Sequence, residues 1–272
     1  MKIVFVGTGS AFTLKNWQTN ILIQENGKNL LIDAGGDIRF SLKEQNLSYK
    51  DIDALYITHL HSDHISGIEY LAFCSYFDPS MKGEKISLIG NNEVMRDLWN
   101  FCLKGGLRSI QTKHMTLDEY FDVEMIKRNH EFTWENIHFQ IVQSIHIVDE
   151  YSIVPSFGVI MTDPTTGQKI YYTGDSQFAP NQIMDYYKSV DTIIQDCETT
   201  PFKSGVHANF EDLKTLPEAI KQKMILVHYQ DNVLEDDGKG LVFKREWAEK
   251  VTEAKFKGFA VKGSVLEVEK RA

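Results

Sequence analysis

The sequence predicts an α/β fold, a four-layer αββα sandwich in which two sheets pack face to face and helices cover the outer faces. Three observations lead to this prediction. Short apolar, strand-like runs occur at both ends of the chain, helical patterns are interleaved with strands in each half, and hairpins rather than crossovers join the N-terminal strands. A simple doubly wound sheet fits less well, because its parallel strands would need crossovers.

The first third of the chain is rich in strands. Asn26-Gly27 stands between two apolar runs and is a strong signal for a hairpin turn. Helical patterns are expected from Asp33–Gly36 to about Asn46 and from Ile65 to Phe77. The predicted strands are Ile3–Val6, Asn20–Gln24, Asn29–Asp33 and Ala54–Ile57, and residues 58–64 are predicted to form a loop.

The remaining two thirds alternate strands with helices. Pro164 and Gly167 mark a turn between two strands. No linker, low-complexity segment or charge block divides the chain, so residues 1–272 are predicted to form a single domain. The predicted strands are Ile86–Ile89, Ile137–Val142, Phe157–Thr162, Lys169–Thr173, Thr192–Gln195, Met224–Val227, Phe259–Val261 and Val265–Val268. The predicted helices are Asn92–Cys102, Phe210–Leu216 and Phe243–Ala254.

Composition narrows the classes of partner. The formal net charge is −9, and Lys and Arg are scattered, so stable binding of a large nucleic acid is not expected. No run of 18 apolar residues occurs, which argues against a membrane span. The cysteines Cys74, Cys102 and Cys197 are odd in number and form no CxxC pair. Disulfides and cysteine-type zinc sites are therefore not expected, and a reducing cytoplasm is the default location.

The strongest chemical signal is the segment THLHSDHISG at residues 58–67, directly after the predicted strand Ala54–Ile57. An extended segment alternates its side chains, so its first two histidines share one direction. Imidazole together with carboxylate suits Zn²⁺ and similar divalent ions. A loop that is rich in histidine by chance is the weaker interpretation, because four such groups stand within six residues: His59, His61, Asp63 and His64.

This HxHxDH pattern after an apolar strand resembles the signature of the metallo-β-lactamase superfamily. The resemblance implies the four-layer sandwich with two metal ions at the edge of the sheets. Other pieces of the family's pattern occur in the expected order, each at the end of an apolar strand. They are Asp33 in residues 31–35, His146 in residues 143–146, Asp175 in residues 172–175 and His228 in residues 226–229.

The resemblance assigns seven metal ligands to two sets that share one member. The first set is His59, His61 and His146, the second set is Asp63, His64 and His228, and Asp175 bridges the two ions. Asp33 is assigned a place behind the ligands as a hydrogen-bond partner, which such sites need. Zn²⁺ is the favoured ion, and Mn²⁺ is the alternative. Without this context, His146 and His228 would each be interpreted as ordinary histidines.

Two further residues point to phosphodiester chemistry. Glu198 in residues 196–200 and His207 in residues 205–209 resemble the Glu and His elements of the RNase Z-like phosphodiesterase branch, although both match only in part. A leaving alkoxide needs a proton, and a histidine oriented by a carboxylate can supply it near neutral pH. We therefore predict His207 as general acid and Glu198 as its orienter, with Asp63 also counted as catalytic. The alternative for His207 is a histidine of a helix-capping loop.

A small cyclic nucleotide is the predicted substrate. RNase Z enzymes carry a long Gly/Pro-rich arm that grips tRNA, and the interval between Gly67 and His146 contains no such insertion. Residues 7–11, 16–20 and 227–231 are similar to phage and bacterial anti-Pycsar phosphodiesterases. Those enzymes degrade cyclic nucleotide immune signals, including cyclic CMP and cyclic UMP.

Two functions of other classes stay open at this point, a tRNA 3′-processing endonuclease and a non-catalytic metal-binding sensor. The complete ligand set argues against an inactive site. The resemblance also implies a homodimer, for which residues 73–77 and 99–101 offer apolar and aromatic side chains, unless these belong to the core. His114, His130 and His138 have no partner motif and are assigned to the surface or the core.

Overall fold

A computed structural model describes residues 1–127 and 130–268 of the protein. Arg128, one of the scattered basic residues, and the last four residues of the predicted domain lie outside these ranges. Within the described residues, the β-strands are β1 (Lys2–Gly7), β2 (Asn20–Glu25), β3 (Lys28–Ile32), β4 (Ala54–Ile57), β5 (Ile86–Asn91), β6 (Ser109–Ile110), β7 (Lys113–His114), β8 (Phe121–Ile126), β9 (Glu131–Trp134), β10 (Ile137–Val148), β11 (Ile153–Thr162), β12 (Lys169–Tyr172), β13 (Thr192–Asp196), β14 (Met224–Val227), β15 (Leu234–Asp236), β16 (Leu241–Phe243), β17 (Gly258–Phe259) and β18 (Val265–Glu267).

The helices are mostly short, and several consist of a single turn. A π-helical segment, Leu98–Leu103, continues α4 into α5, and 3₁₀ turns occur at Tyr49–Asp51, Pro79–Met81 and Asp231–Val233. In the same described ranges, the α-helices are α1 (Ile38–Glu44), α2 (Ser62–Ile65), α3 (Ile68–Phe77), α4 (Asn92–Asp97), α5 (Lys104–Leu107), α6 (Leu117–Tyr120), α7 (Pro180–Ser189), α8 (Phe210–Leu213), α9 (Glu218–Lys221) and α10 (Arg245–Glu253). None of them has the length and apolar character needed to cross a membrane.

Two seven-stranded mixed sheets form the centre of the molecule. Their strand orders are β18-β1-β2-β3-β4-β5-β8 and β17-β14-β13-β12-β11-β10-β9. Strands β3, β4, β5 and β8 run parallel, as do β12, β13, β14 and β17. The predicted Asn26-Gly27 hairpin joins β2 to β3, and both residues have the positive φ that a tight hairpin turn requires.

Apolar side chains form two cores that follow from this layering. The first core joins residues of both sheets, including Tyr56 from β4 and Phe157 from β11. The second core packs α7, α8 and α10 on the second sheet through Tyr187, Phe210 and Trp247. The predicted arrangement of two sheets with helices outside is therefore confirmed.

The structure corrects the prediction at several helices. The helix expected from Asp33 begins only at Ile38, because Asp33 has a φ of 64° and cannot start a right-handed helix. The helix expected from Ile65 to Phe77 is interrupted at Gly67, where a Cβ atom would lie 2.4 Å from the carbonyl oxygen of Gly35. Helix α7 was not predicted, although it starts with a proline in its first turn.

Candidate metal centre

The seven predicted metal ligands come together at one edge of the sheets. His59 lies two residues after the end of β4, Asp175 lies three residues after β12, and His228 directly follows β14. His146 lies near the end of β10, which runs in the same direction as β12 because both pair antiparallel with β11. Side chains that follow parallel strands meet at the carboxyl edge of the sheet, so residues far apart in the chain become neighbours.

One group of ligand atoms contains three histidines and a shared aspartate. The ligand atoms of His59, His61, His146 and Asp175 all lie within 4.8 Å of one another. His61 Nδ1 lies 3.0 Å from His146 Nε2, and the Nε2 atoms of His59 and His146 lie 3.7 and 3.8 Å from Asp175 Oδ2. His61 is half-buried and the other three are buried. This is the first predicted ligand set together with the predicted bridging residue.

The second group uses Asp175 from the other side. It contains Asp63, His64, Asp175 and His228, all buried, and their ligand atoms are equally close. His64 Nε2 lies 3.2 Å from Asp63 Oδ2 and 3.3 Å from Asp175 Oδ2. His228 Nε2 lies 3.3 Å and 3.5 Å from the same two oxygens. The structure thus places Asp175 between the two predicted sets.

Asp33 fixes the orientation of His64, a member of the second group. Its carboxylate lies 2.8 Å from His64 Nδ1 and accepts hydrogen bonds from the backbone N–H and the hydroxyl of Thr58. His64 Nδ1 is thereby fixed, and Nε2 is left to face Asp63 and Asp175. Asp33 and His228 have φ values of 64° and 61°, a left-handed conformation that is often found at functional sites.

The electrostatics of the two groups suit a divalent cation. Burial lowers the pKa of His59, His61 and His146, which keeps these imidazoles in the neutral form that binds metal ions. Burial also disfavours the charged forms of His64 and His228, but the carboxylates around each imidazole, Asp175 foremost, together outweigh this effect and raise the pKa of both. Metal ions bind neutral imidazoles, so an ion in this group would displace any proton held by these two histidines.

The donor set fits two metal ions. Within the described residues, the buried Nε2 atom of His59 makes no hydrogen bond. The Nε2 atom of His64 lies 3.2 and 3.3 Å from two carboxylate oxygens but makes no well-aligned hydrogen bond to either. A buried nitrogen without a hydrogen bond costs free energy. Imidazole nitrogens and carboxylate oxygens are ligands of Zn²⁺ and related ions. The buried His/Asp groups are consistent with a binuclear metal site, in which an ion in each group would satisfy these atoms.

His207 lies beside this centre, but its partner differs from the predicted one. His207 Nδ1 is 2.8 Å from Asp196 Oδ2, so the predicted pairing with Glu198 is wrong. Strand β13 ends at Asp196, and by Glu198 the backbone already pairs with Ala208 and Phe210. The Glu198 carboxylate instead accepts hydrogen bonds from the backbone N–H of Ser204 and the side-chain amide of Asn209.

Asp196 also reaches the second ligand group. Its Oδ1 lies 3.4 Å from His228 Nδ1, and its Oδ2 accepts a hydrogen bond from the backbone N–H of Ser176. Burial opposes a charged His207, but the neighbouring Asp196 outweighs it and raises the pKa of His207 above its ordinary value. Sequence reasoning missed Asp196, although a carboxylate at the end of the apolar strand Thr192–Gln195 was a usable signal.

The remaining histidines lie away from the centre, as predicted. His114 and His130 are exposed. His138 pairs with Glu131 on the neighbouring strand, at a distance of 2.9 Å between Nε2 and Oε2. Each is therefore accounted for without a ligand.

Comparison with known proteins identifies relatives over most of the chain. The family described as Anti-Pycsar protein Apyc1 matches residues 1–247. The protein of that name from Bacillus phage vB_BsuM-Goe3 is 34% identical over 249 residues, which cover 88% of this chain and 92% of that protein.

Solved structures share the fold. The metallo-β-lactamase fold protein YhfI from Bacillus subtilis matches with a TM-score of 0.70 and 17% identity, covering 97% of this chain and 98% of that one. The short form of human tRNase Z matches with a TM-score of 0.67 and 17% identity, covering 99% and 100%. At these identities the similarity shows the fold alone, which is the predicted metallo-β-lactamase fold.

Proposed function

Because the chain belongs to the family of the anti-Pycsar protein Apyc1, we propose that it is a binuclear metal-dependent phosphodiesterase that hydrolyses cyclic nucleotides. The observation that carries this proposal is the pair of buried ligand groups joined at Asp175, with the His207–Asp196 pair beside them. The resemblance to enzymes that degrade cyclic nucleotide immune signals makes cyclic CMP and cyclic UMP the first substrates to test.

The protein's own residues supply the proton transfer. Two divalent ions held by the ligand groups would activate a water molecule and neutralise charge at phosphorus. The new P–O bond forms on one side of the phosphorus as the ester P–O bond breaks on the other. His207, held by Asp196 through Nδ1, directs Nε2 to the leaving oxygen and gives it a proton. The cyclic ester opens to a nucleoside monophosphate.

Exposed aromatic side chains at the same edge support a nucleotide as substrate. Phe12 and Tyr151 are each 92% exposed and Phe202 is 66% exposed. They lie in the loops after β1, β10 and β13, strands that lead towards the centre. The loop after β1 is bound to the ligand region, since the Thr8 carbonyl accepts a hydrogen bond from the backbone N–H of His228. Aromatic faces stack on any base, with about 1–3 kcal/mol per base in single-stranded nucleic acids.

A substrate panel tests the proposal. Protein loaded with Zn²⁺ or Mn²⁺ is incubated with 2′,3′- and 3′,5′-cyclic nucleotides and with cyclic dinucleotides, and products are separated by HPLC. We expect nucleoside monophosphates from at least one cyclic mononucleotide. Turnover of bis-p-nitrophenyl phosphate reports a working centre independently of base preference. Cleavage of precursor tRNA without cyclic nucleotide hydrolysis would replace the proposal with a tRNA-maturation nuclease, and no turnover of any ester would favour a metal-binding sensor.

Three finer features belong to the same proposal. Zn²⁺ is the ion favoured by the histidine-rich donor set, with Mn²⁺ as the alternative. A homodimer is proposed because Phe77 and Phe101, in the two segments singled out in the sequence, are 58% and 82% exposed, whereas Phe73 and Trp99 pack against the core. The cytoplasm is the proposed location, in keeping with three free cysteines.

A further inference from the structure

The segment 199–208, here called the donor loop, links two parts of the candidate centre. The carbonyl oxygen of Val206 lies 2.8 Å from His146 Nδ1, and His207 Nδ1 lies 2.8 Å from Asp196 Oδ2. The first contact sets which nitrogen of His146 faces the ligand group, and the second orients the proposed proton donor. Two adjacent residues of one loop therefore set the orientation of a metal ligand and of the general acid.

The donor loop is closed at its base by Glu198. The backbones of Glu198 and Asn209 pair, with the N–H of Glu198 bonded to Ala208 and its carbonyl bonded to Phe210. Inside the loop, the two oxygens of the Glu198 carboxylate lie 3.0 and 3.3 Å from the backbone nitrogen of Ser204. Its Oε2 also accepts a hydrogen bond from Asn209 Nδ2 at 3.2 Å.

The burial of Glu198 makes these contacts costly to lose. The residue is 3% exposed, and its contacts with Ser204 and Asn209 come from neutral donors. A buried polar group that loses its hydrogen-bond partners destabilises the structure around it. Ser204 is only two and three residues from Val206 and His207, so a shift at Ser204 is passed on directly to both contacts with the centre.

We propose that Glu198 is a positioning residue that closes the donor loop and so sets the orientations of both His146 and His207. It acts through the loop backbone, not by touching His207. The catalytic consequence rests on the proposed phosphodiesterase function, but the structural consequence does not. The two can therefore be tested separately on one set of variants.

The test compares Glu198→Ala and Glu198→Gln with Glu211→Ala. Glu211 is the matched control, because its carboxylate is exposed, pairs only with Lys214 among the described residues, and lies just beyond the loop. Glu198→Gln keeps an acceptor for Ser204 but turns an N–H group towards Asn209, whose own oxygen is engaged by the N–H of Glu211. We expect Glu198→Ala to disturb the donor loop and the imidazoles of His146 and His207 most strongly. Glu198→Gln should disturb them less, and Glu211→Ala should leave them unchanged.

The first readout is taken on the metal-free protein. In long-range ¹H–¹⁵N spectra of the imidazoles, Glu198→Ala should broaden or lose the Nδ1–H signals of His146 and His207, and trypsin should cut faster after Lys203 in the loop. Circular dichroism and thermal unfolding verify that Glu198→Ala is folded. If it is not folded, the same measurements are made on Glu198→Gln. Unchanged imidazole signals and cleavage rates in a folded Glu198 variant would overturn the proposal.

The second readout is kinetic. Glu198→Ala should lower kcat on the cyclic nucleotide by roughly 10–100-fold, the usual range for residues that orient a site's groups, while KM changes little. The loss should be smaller on bis-p-nitrophenyl phosphate, whose leaving group hardly needs a proton. If the imidazole signals change but no cyclic nucleotide is hydrolysed by the wild type, the positioning role stands and the proposed function fails.

Discussion

At the scale of single residues, the chemistry depends on which carboxylate faces which imidazole. Asp33 fixes Nδ1 of His64, and Asp196 contacts Nδ1 of both His207 and His228. In His64 and His228 a carboxylate lies beside Nδ1, and Nε2 lies within 3.5 Å of Asp63 and Asp175. A carboxylate beside one ring nitrogen determines the tautomer of a ligand or proton donor. Removal of such a partner often lowers activity by roughly 10–100-fold.

His207→Ala is expected to lower kcat on a cyclic nucleotide by roughly 10²–10⁴-fold, the range of general acid catalysis. Metal content should stay near that of the wild type, because His207 lies outside the two predicted ligand sets. The loss should shrink on a p-nitrophenyl ester, which has a good leaving group. Steady-state kinetics on both substrates and metal analysis check this. An equal loss on both esters, or loss of the metals, would instead make His207 a ligand or a structural residue.

The rate should fall on the alkaline side of its pH profile as His207 loses its proton. Asp196 raises the pKa of His207, so the protonated donor persists to a higher pH than an ordinary histidine would allow. Asp196→Asn removes that stabilisation, and the alkaline fall of kcat/KM should then begin at a lower pH. His207→Ala should not show this alkaline fall of kcat/KM. If Asp196→Asn retained both metals and its kcat/KM fell at the same alkaline pH as that of the wild type, a group other than His207 would be responsible for the fall.

At the scale of elements, a buried carboxylate fixes the turn between two strands by accepting hydrogen bonds from its backbone. Between β11 and β12, the Asp163 carboxylate accepts hydrogen bonds from the backbone N–H groups of Thr165 and Thr166 and from the Thr166 hydroxyl. Asp163 is 1% exposed. Burial opposes its charge, but the amino group of Met1 and Thr166 outweigh burial and lower the pKa of Asp163.

Asp163→Asn should therefore destabilise the protein in a pH-dependent way. A lowered folded-state pKa contributes stability above the unfolded-state pKa of about 3.9, and this contribution disappears as the pH falls through the folded-state value. We expect a loss of about 1–3 kcal/mol in the free energy of unfolding at neutral pH and a smaller difference near pH 3. Urea titrations at both pH values measure it. Asp149→Asn, in the exposed turn after β10, is the control with a smaller effect.

At the scale of the whole molecule, the candidate metal centre joins both sheets. The predicted ligands come from the loop and the short helix α2 that follow β4 in the first sheet, and from β10, β12 and β14 or their following loops in the second. An ion bound only in the folded state therefore stabilises the packing of one sheet on the other. Without an ion, the buried Nε2 atom of His59 has no hydrogen-bond partner among the residues that the structure describes.

Removal of the metal should lower the melting temperature. An ion present at about 100 times its Kd stabilises the folded state by about 2.7 kcal/mol per site. Dialysis against a chelator followed by thermal unfolding should show the loss, and added Zn²⁺ should reverse it. His59→Ala should respond less than the wild type to added metal, whereas His138→Ala, far from the centre, should respond fully. An unchanged melting temperature in the stripped wild type would contradict metal-linked folding.

The proposed homodimer predicts twice the chain's mass of 31.2 kDa by light scattering at micromolar concentration. Phe101→Glu should weaken it, since Phe101 is 82% exposed in one of the two apolar segments. Val261→Glu changes a half-exposed apolar residue elsewhere and is the control. A monomeric wild type would count against the dimer.

The sequence by itself determined the layered fold and the identity of the candidate ligands. The fold and the first four ligands follow from local patterns, since apolar runs predict strands and four polar groups within six residues stand out against them. The ligands His146, Asp175 and His228 follow from the family resemblance that those four groups carry. The tertiary structure alone decided which carboxylate pairs with His207. Asp196 and Glu198 are two residues apart, so an extended chain would point both the same way. The end of β13 and the turn towards Ala208 separate them, because hydrogen bonds with distant parts of the chain, not the local pattern, determine where a strand stops.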